Sequence, residues 1–273
     1  MRCKICKAAT HKISEQLILQ KYQVAYHQCK TCHFIQTDQP FWLAESYENV
    51  ITALDIGLIN RNIYLQKEIS KIIDLFFPDA NIMLDYGGGY GMFVRMMRDL
   101  GYNFFRQDSY CQNLFANYFD YTDTASKKYD VLTTFEVFEH LEDPLTEIEK
   151  MFTFSDNIIF STVLIPADIK EFETWWYVSP LIGQHIAFYD IKTLQYLADK
   201  FGKKLYSNNQ NLHVLTSHTI EASIVNRIFN THKKSKLKKI INLFCKNKQV
   251  ESSRTSLLQK DYEFIEKTLI AKK

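Results

Sequence analysis

The 273-residue chain has no apolar run long enough to cross a bilayer, and no apolar h-region stands at its start. The expectation is a soluble cytoplasmic protein. Net charge is also missing. Lys+Arg 33 against Asp+Glu 31 leaves no global field to attract nucleic acid. No internal repeat and no low-complexity segment occurs. Glycine (8 residues) and cysteine (6 residues) are both scarce, so their placement carries information. The hydrophobic fraction of 46% suits an ordinary globular core, and the length allows one large domain plus a small one.

Four of the cysteines form two matched knuckles, Cys3-x-x-Cys6 and Cys29-x-x-Cys32. Without a secretory signal this spacing predicts a four-thiolate zinc site, not disulfides. A closed four-sulfur shell leaves no open position for a substrate. The expected role is therefore structural, a small zinc ribbon over residues 1–40 that does not fold without its ion. Lys4, Lys7 and Lys30 would offset the thiolate charge. His27 and His33 flank the second knuckle as bystanders, and Cys111 and Cys245 read as free thiols.

Pro40-Phe41-Trp42 opens a helical connector over residues 41–78. Within it Ile63, Ile69, Ile72, Ile73 and Phe76 recur at helical spacing until Pro78 stops the run. Strand and helix patterns then alternate: strands at 82–85, 103–107, 130–135 and 157–163, with helices at 91–100 and around 144–153. Asp190 caps a helix that Gly202 closes, and strands at 205–207 and 212–216 flank an Asn-rich turn. Such alternation predicts an α/β fold with a parallel sheet and helices on both faces. Residues 218–273 form a basic helical region. Lys233, Lys234, Lys236, Lys238 and Lys239 stand beside an apolar face of Leu237, Ile240, Ile241 and Phe244. Residues 232–248 could make peripheral contact with an anionic membrane or a phosphorylated substrate, but a solvated lysine face on a packed helix is the favoured reading.

The most informative segment is Leu84-Asp85-Tyr86-Gly87-Gly88-Gly89-Tyr90-Gly91, with apolar Ile82 and Met83 before it and a helical pattern from Met92 to Leu100 after it. Strand, glycine turn and helix follow one another. The glycines permit positive φ and close approach of a ligand, and the helix start offers free N–H groups. About 20 residues on, Asp108 ends a second strand, where an acidic side chain takes ribose hydroxyls in doubly wound folds. Tyr129 to Phe135 reads as a buried strand, followed by Glu136-Val137-Phe138-Glu139-His140-Leu141-Glu142-Asp143-Pro144.

The D-x-G-x-G-x-G order resembles the first motif of class I S-adenosylmethionine (SAM) methyltransferases, and the E-H-L-x-D-P ending resembles their fourth-strand motif. The resemblance covers roughly residues 60 to 216. It implies a Rossmann-like class I methyltransferase with a mostly parallel seven-stranded sheet and a SAM-binding core over residues 79–217. It also implies SAM held by Asp85, Gly87, Gly89, Gly91 and Asp108, with Tyr86 and Phe135 packed around it.

In-line methyl transfer needs an aligned acceptor and, for a hydroxyl, a group that takes or stabilises its proton. His140, in Glu136-x-x-Glu139-His140, and His185 are the candidates. If the family topology holds, both face one cleft. Together with Glu136 and Glu139 they form a donor set for Mg²⁺, Mn²⁺ or Fe²⁺. A similar E-x-x-E-H pattern supplies metal ligands in ubiquinone O-methyltransferases and small-RNA 2′-O-methyltransferases. A metal-free base, a positioning role or a purely structural histidine stay open. Glu171-Phe172-Glu173-Thr174-Trp175-Trp176-Tyr177 offers aromatic faces for a sugar or a base, or else covers the core. Asp55, Arg61 and Asn62 could reach the cofactor carboxylate or the acceptor, or simply belong to a surface helix.

No N-P-P-Y-like tetrad and no cysteine follow the fourth strand, so DNA is not an expected substrate. The chain further resembles bacterial methyltransferases with an N-terminal zinc-binding region, a group that includes sugar-modifying enzymes. The first reading is O-methylation of a sugar or sugar-phosphate in surface polysaccharide biosynthesis, with a sugar, nucleotide-sugar or glycan as acceptor. The second is nucleotide-deoxysugar C-methylation, weakened because this chain is shorter than typical enzymes of that kind. RNA 2′-O-methylation is a third reading, against which the near-neutral charge counts. A non-catalytic SAM-binding scaffold is a fourth, against which Asp85 and Asp108 count.

Overall fold

The computed structural model describes residues 1–48, 54–229 and 254–271. In chain order its elements are β1 (Thr10–Ile18), β2 (Tyr22–Cys29), β3 (Ile35–Thr37), α1 (Leu43–Ser46), α2 (Leu58–Phe76), β4 (Met83–Tyr86), α3 (Met92–Asp99), β5 (Phe104–Gln107), β6 (Val131–Thr134), α4 (Pro144–Phe154), β7 (Ile158–Ser161), β8 (Ala187–Phe188), α5 (Ile191–Lys200), β9 (Lys204–Ser207), β10 (Leu212–Thr216), α6 (Ala222–Phe229) and α7 (Leu258–Ala271). The lysine-rich stretch 232–248 and Cys245 lie outside the described residues. Among the described residues no helix is long and apolar enough to cross a membrane. The chain divides into two compact units, Met1–Leu58 with Leu132–His218, and Ile59–Val131 with Thr219–Lys273.

In the first unit the N-terminal segment forms an antiparallel sheet in the order β1-β2-β3-β8. The β1–β2 hairpin turns at Leu19 and Gln20, whose φ of 53° and 57° match the twist of a tight hairpin. Alternate residues Ile18, Val24, Tyr26 and Ile35 are buried with Trp42, Phe172, Tyr177 and Phe188. Residues of β1, β2 and β3 and the segment around 172–188 thus share one core. The other strands of this unit are β6 and β7, a parallel pair in register Leu132↔Ile158, and β10, antiparallel to both β7 and β9. α5 begins as expected. The Asp190 side chain accepts from Thr193 N–H at 2.8 Å, and the Thr193 hydroxyl answers the Asp190 backbone in a capping box. In the Asn-rich turn, Asn208 Oδ1 accepts the N–H groups of Gln210, Asn211 and Leu212 at 2.9–3.0 Å.

His213 on β10 is fully buried, its ring between the Ser207 hydroxyl (2.8 Å) and the Thr162 carbonyl (3.0 Å). Burial lowers its pKa from 6.5 to about 4, and the Thr162 carbonyl only partly offsets this. The folded ring stays neutral while the unfolded one charges below pH 6.5. Its stabilisation is therefore complete above pH 6.5 and is lost as pH falls towards 4, by about 1.4 kcal/mol per unit. Urea titrations from pH 7 to 4.5 on the parent and His213→Gln should show the parent losing more stability, and equal slopes would refute this.

In the second unit β4 and β5 pair in parallel, Met83↔Phe104 to Tyr86↔Gln107. α2 buries Leu65, Ile69, Ile72, Ile73 and Phe76 on one face. Ile63, expected on that face, is 54% exposed, because the buried stripe begins one turn-half later at Leu65. α7 is tied in by a buried ion pair. Arg98 Nε and Nη2 donate to Asp261 at 2.8 and 2.7 Å, and its guanidinium lies 3.7 Å from the Phe119 ring centroid. Asp261→Asn leaves the Arg98 charge without its partner and should cost about 3–5 kcal/mol in chemical denaturation; a loss under 1 kcal/mol would contradict the role given to this pair.

The main sheet is mixed: β4 and β5 pair in parallel, as do β6 and β7, while β10 alone runs antiparallel to its neighbours β7 and β9. It has six strands among the described residues, where seven were expected. The edge beside β5 shows why. Phe119 to Tyr121 meets it only through Arg106, whose N–H donates to Phe119 O and whose carbonyl accepts from Tyr121 N–H, both at 2.7 Å. Tyr118 carries a φ of 69°, which breaks the extended run before a strand can form.

Candidate active site

In the second unit β4 ends in Asp85 and Tyr86, 3% and 5% exposed. The glycine turn that follows is laced to the end of β5. Gly87 and Gly88 N–H groups donate to Gln107 O at 2.8 and 3.1 Å, and Gly89 N–H donates to Asp108 Oδ2 at 2.9 Å. A Cβ on Gly88 would stand 2.8 Å from Asp85 Oδ2, so this close approach requires glycine. Gly89 has a φ of 53° and nothing within 4 Å of where a Cβ would lie. That open backbone is a cradle for a ligand, and the residues around it fit a polar cofactor. Gly91 caps α3 in the left-handed conformation. Asp108 Oδ1 also accepts from Tyr110 and Cys111 N–H at 2.8 and 2.7 Å. A carboxylate has about four lone-pair sites, so three backbone donors leave capacity for a hydroxyl.

In the first unit the chain leaves β6 through Phe135 to Glu136, which sits at a φ of 54°. For a residue with a Cβ this is strained backbone. Ser161 at the end of β7 holds it from two sides: its Oγ accepts Glu136 N–H at 2.9 Å, and its hydroxyl donates to Glu136 Oε1 at 2.7 Å. One turn on, Glu139 is fully buried. Its carboxylate and one nitrogen each of His140 and His185 lie within 4.8 Å of one another. The two imidazoles meet edge to face at 4.9 Å. His140 Nδ1 stands 3.1 Å from both Gln184 O and the Tyr47 hydroxyl, and His185 Nδ1 stands 2.5 Å from Tyr177 O. A carbonyl only accepts, so each Nδ1 carries a proton, and in the neutral ring each Nε2 presents a lone pair. Burial pushes the Tyr177 phenol well above its usual range, and the charges of Glu139 and Glu136 push it further, so it stays a neutral hydroxyl.

Of the four residues expected to act together, Glu139, His140 and His185 are brought into one cluster, and Glu136 is clasped by Ser161. The aromatic segment is divided. Trp176 is 73% exposed, while Tyr177 is buried and Trp175 packs against the core. Asp55, Arg61 and Asn62 are half-buried around the start of α2. Sequence reasoning missed Ser161, Tyr47 and Gln184. Ser161 stands at a strand end, where ligands collect in α/β sheets. Tyr47 and Gln184 carry no local signal.

The four knuckle cysteines also converge, their sulfurs within 4.8 Å of one another, with Cys3–Cys32 at 3.5 Å and Cys6–Cys29 at 3.3 Å. A tetrahedral ion with 2.3 Å metal–sulfur bonds needs sulfurs about 3.8 Å apart, close to this spacing. Backbone N–H groups of Ile5 and Thr31 point at Cys3 and Cys29 Sγ at 3.4 and 3.3 Å, as knuckles require. His27 and His33 turn away to Asp38 and Asp190, at 2.8 and 2.9 Å. The donor set fits a closed thiolate site.

A family model described as a methyltransferase domain matches residues 61–208, more than half of the chain. The chain belongs to this methyltransferase family, with a Rossmann-like fold. Among solved structures it is similar to the mitomycin 7-O-methyltransferase MmcR (16% identity, 64% of this chain and 59% of that one, TM-score 0.41). It is also similar to the plantazolicin methyltransferase BpumL (12% identity, 65% and 93%, TM-score 0.44). A third is the magnesium protoporphyrin IX methyltransferase ChlM from Synechocystis PCC 6803 (9% identity, 64% and 94%, TM-score 0.37). The chain thus spans less than two thirds of the mitomycin enzyme's length. A search of curated proteins finds no match.

Proposed function

We propose that the protein O-methylates a sugar or sugar-phosphate destined for surface polysaccharide, with a divalent cation held by Glu139, His140 and His185. The observation that carries this reading is the pair of imidazoles whose Nδ1 protons are both committed to backbone carbonyls, beside a fully buried carboxylate. A backbone carbonyl that accepts the Nδ1 proton fixes the ring of a metal-binding histidine with its Nε2 turned to the metal. Two nitrogens with one carboxylate suit Mn²⁺, Fe²⁺ or Zn²⁺ better than Mg²⁺, since Glu136 is engaged by Ser161. Glu139, His140 and His185 would hold such an ion, and it would supply Lewis-acid activation of the acceptor hydroxyl. The Nε2 of His140 or His185 is the alternative proton acceptor. SAM, when bound, supplies the electrophilic methyl group. Asp85, Tyr86, Gly87, Gly89, Gly91, Asp108 and Phe135 are assigned to hold it.

The acceptor class is supported by Trp176. Its exposed indole lies 5.3 Å from the Tyr177 ring, which lies 4.6 Å from His185. An indole face next to hydroxyl-activating groups suits a sugar ring. Cys3, Cys6, Cys29 and Cys32 are assigned to a structural zinc. The test is transfer of labelled methyl from SAM to nucleotide sugars with glycan extract, and separately to total RNA. Label on oxygen in the sugar pool supports the reading. Label on carbon would make the protein a sugar C-methyltransferase, and label only in RNA would overturn the carbohydrate reading.

A further inference from the structure

Arg106 lies on β5, facing no solvent, and its guanidinium ties together three segments of the second unit. Its Nε donates to Gly89 O at 2.6 Å, its Nη1 to Asp120 Oδ1 at 2.7 Å, and its Nη2 to Cys111 O. The residue is 3% exposed. Its aliphatic stem also bounds the turn: a Cβ on Gly88 would meet Arg106 Cγ at 3.2 Å. Asp120 in turn accepts from Asn113 Nδ2 at 3.1 Å, and Asn113 Oδ1 is the atom nearest to a Cβ built on Gly91. The same side chain thus braces the glycine turn, the loop that follows Asp108, and the edge segment carrying Asp120.

We propose that Arg106 is the positioning residue of the SAM-binding turn, with Asp120 orienting its guanidinium. The inference rests on the assignment of the glycine turn to SAM. Gly89 is held from both sides, its N–H by Asp108 and its carbonyl by Arg106. In a trans peptide, fixing the Gly89 carbonyl towards Arg106 directs the Tyr90 N–H the opposite way. The turn is therefore pre-set before the cofactor arrives, and no ordering cost falls on binding. The guanidinium serves the three acceptors from three separate nitrogens in a fixed plane, whereas the three donors of a lysine ammonium diverge from one nitrogen on a flexible stem.

The experiment measures S-adenosylhomocysteine (SAH) affinity by calorimetry on the full chain, with thermal melting and circular dichroism as fold controls. Arg106→Lys should weaken SAH about tenfold and Arg106→Met, which loses all three hydrogen bonds, at least about a hundredfold. Asp120→Asn should weaken it about threefold, because the guanidinium keeps its other two acceptors. The double variant Arg106→Met with Asp120→Asn should be no worse than Arg106→Met alone, since Asp120 acts through Arg106. Folded Arg106→Lys and Asp120→Asn variants that bind SAH within twofold of the parent would overturn the inference. A purely structural arginine would lower the melting temperature and leave the affinity of the folded protein unchanged. A parent chain that fails to bind SAH would overturn the assignment of the turn, and the inference with it.

Discussion

His140→Ala is expected to lower methyl transfer about a thousandfold while leaving SAH affinity within about twofold. The expectation follows from the division of labour between the two sets of groups. The glycine turn proposed to hold SAM is tied to Gln107 and Asp108 by bonds that do not involve the imidazoles. His140 and His185 instead share a cluster with the buried Glu139. In the proposed metal site, loss of one of three donors would leave a cation too few protein ligands; in the proposed base, it would leave the hydroxyl proton without an acceptor. Either loss falls on turnover and not on cofactor binding. His185→Ala and Glu139→Gln should behave alike. Tyr47→Phe should lose far less, because Gln184 O still holds the Nδ1 proton of His140. Stripping the labile ion under mild chelation and restoring it with Mn²⁺ separates the two chemistries. Turnover unchanged after stripping would remove the cation from the proposal and leave the imidazole base. Turnover unchanged in both histidine variants would remove the site.

The second large effect is expected at the ribbon. Cys29→Ser should release the proposed zinc and lower the melting temperature by on the order of 10 °C, because a structural zinc site contributes folding free energy directly. The loss should not stay local. β3 pairs with β8, Ile35↔Phe188 and Gln36↔Ala187, and His185 stands two residues before β8. The same unit adds two clasps from the N-terminal segment to this loop: Trp42 Nε1 donates to Gly183 O at 2.8 Å, and Gln184 Nε2 donates to Ser46 O at 2.7 Å. Limited proteolysis should therefore show cleavage near residues 179–186 in the variant and not in the parent. Metal analysis that finds no zinc in the purified protein, or a Cys29→Ser variant that melts with the parent, would count against this account.

Much of the architecture was legible from local pattern. The strands from β4 to β10 outside β8, and helices α3, α4 and α5, fall within a residue or two of their expected positions. Each is bounded by chemistry that acts over a few residues: the glycine turn at 87–91, Asp143 and Pro144 at the start of α4, Asp190 and Gly202 around α5. That only six strands stand among the described residues was not legible, since the edge beside β5 depends on one positive φ at Tyr118 and on which backbone groups of Phe119 and Tyr121 find Arg106. Exposure in the aromatic segment was also hidden. Trp175, Trp176 and Tyr177 read alike in sequence, and only packing against Phe172 and Phe188 buries Tyr177 and half-buries Trp175.

The sequence by itself determined the class of this protein, because a strand, a glycine turn, a helix and a following acidic strand end are all specified within about 25 residues of chain. It likewise determined the four-cysteine set, since two short knuckles need no distant information to announce their ligands. Only the tertiary structure decided which acidic residue joins the histidines. Glu136 and Glu139 lie three residues apart, but Ser161, 25 residues away, claims the first, and burial places the second beside His140 and His185. It also decided the tautomers of both imidazoles, set by the carbonyls of Gln184 and Tyr177. Such pairings between residues far apart in sequence are fixed by the packing of whole elements, and no local pattern encodes them.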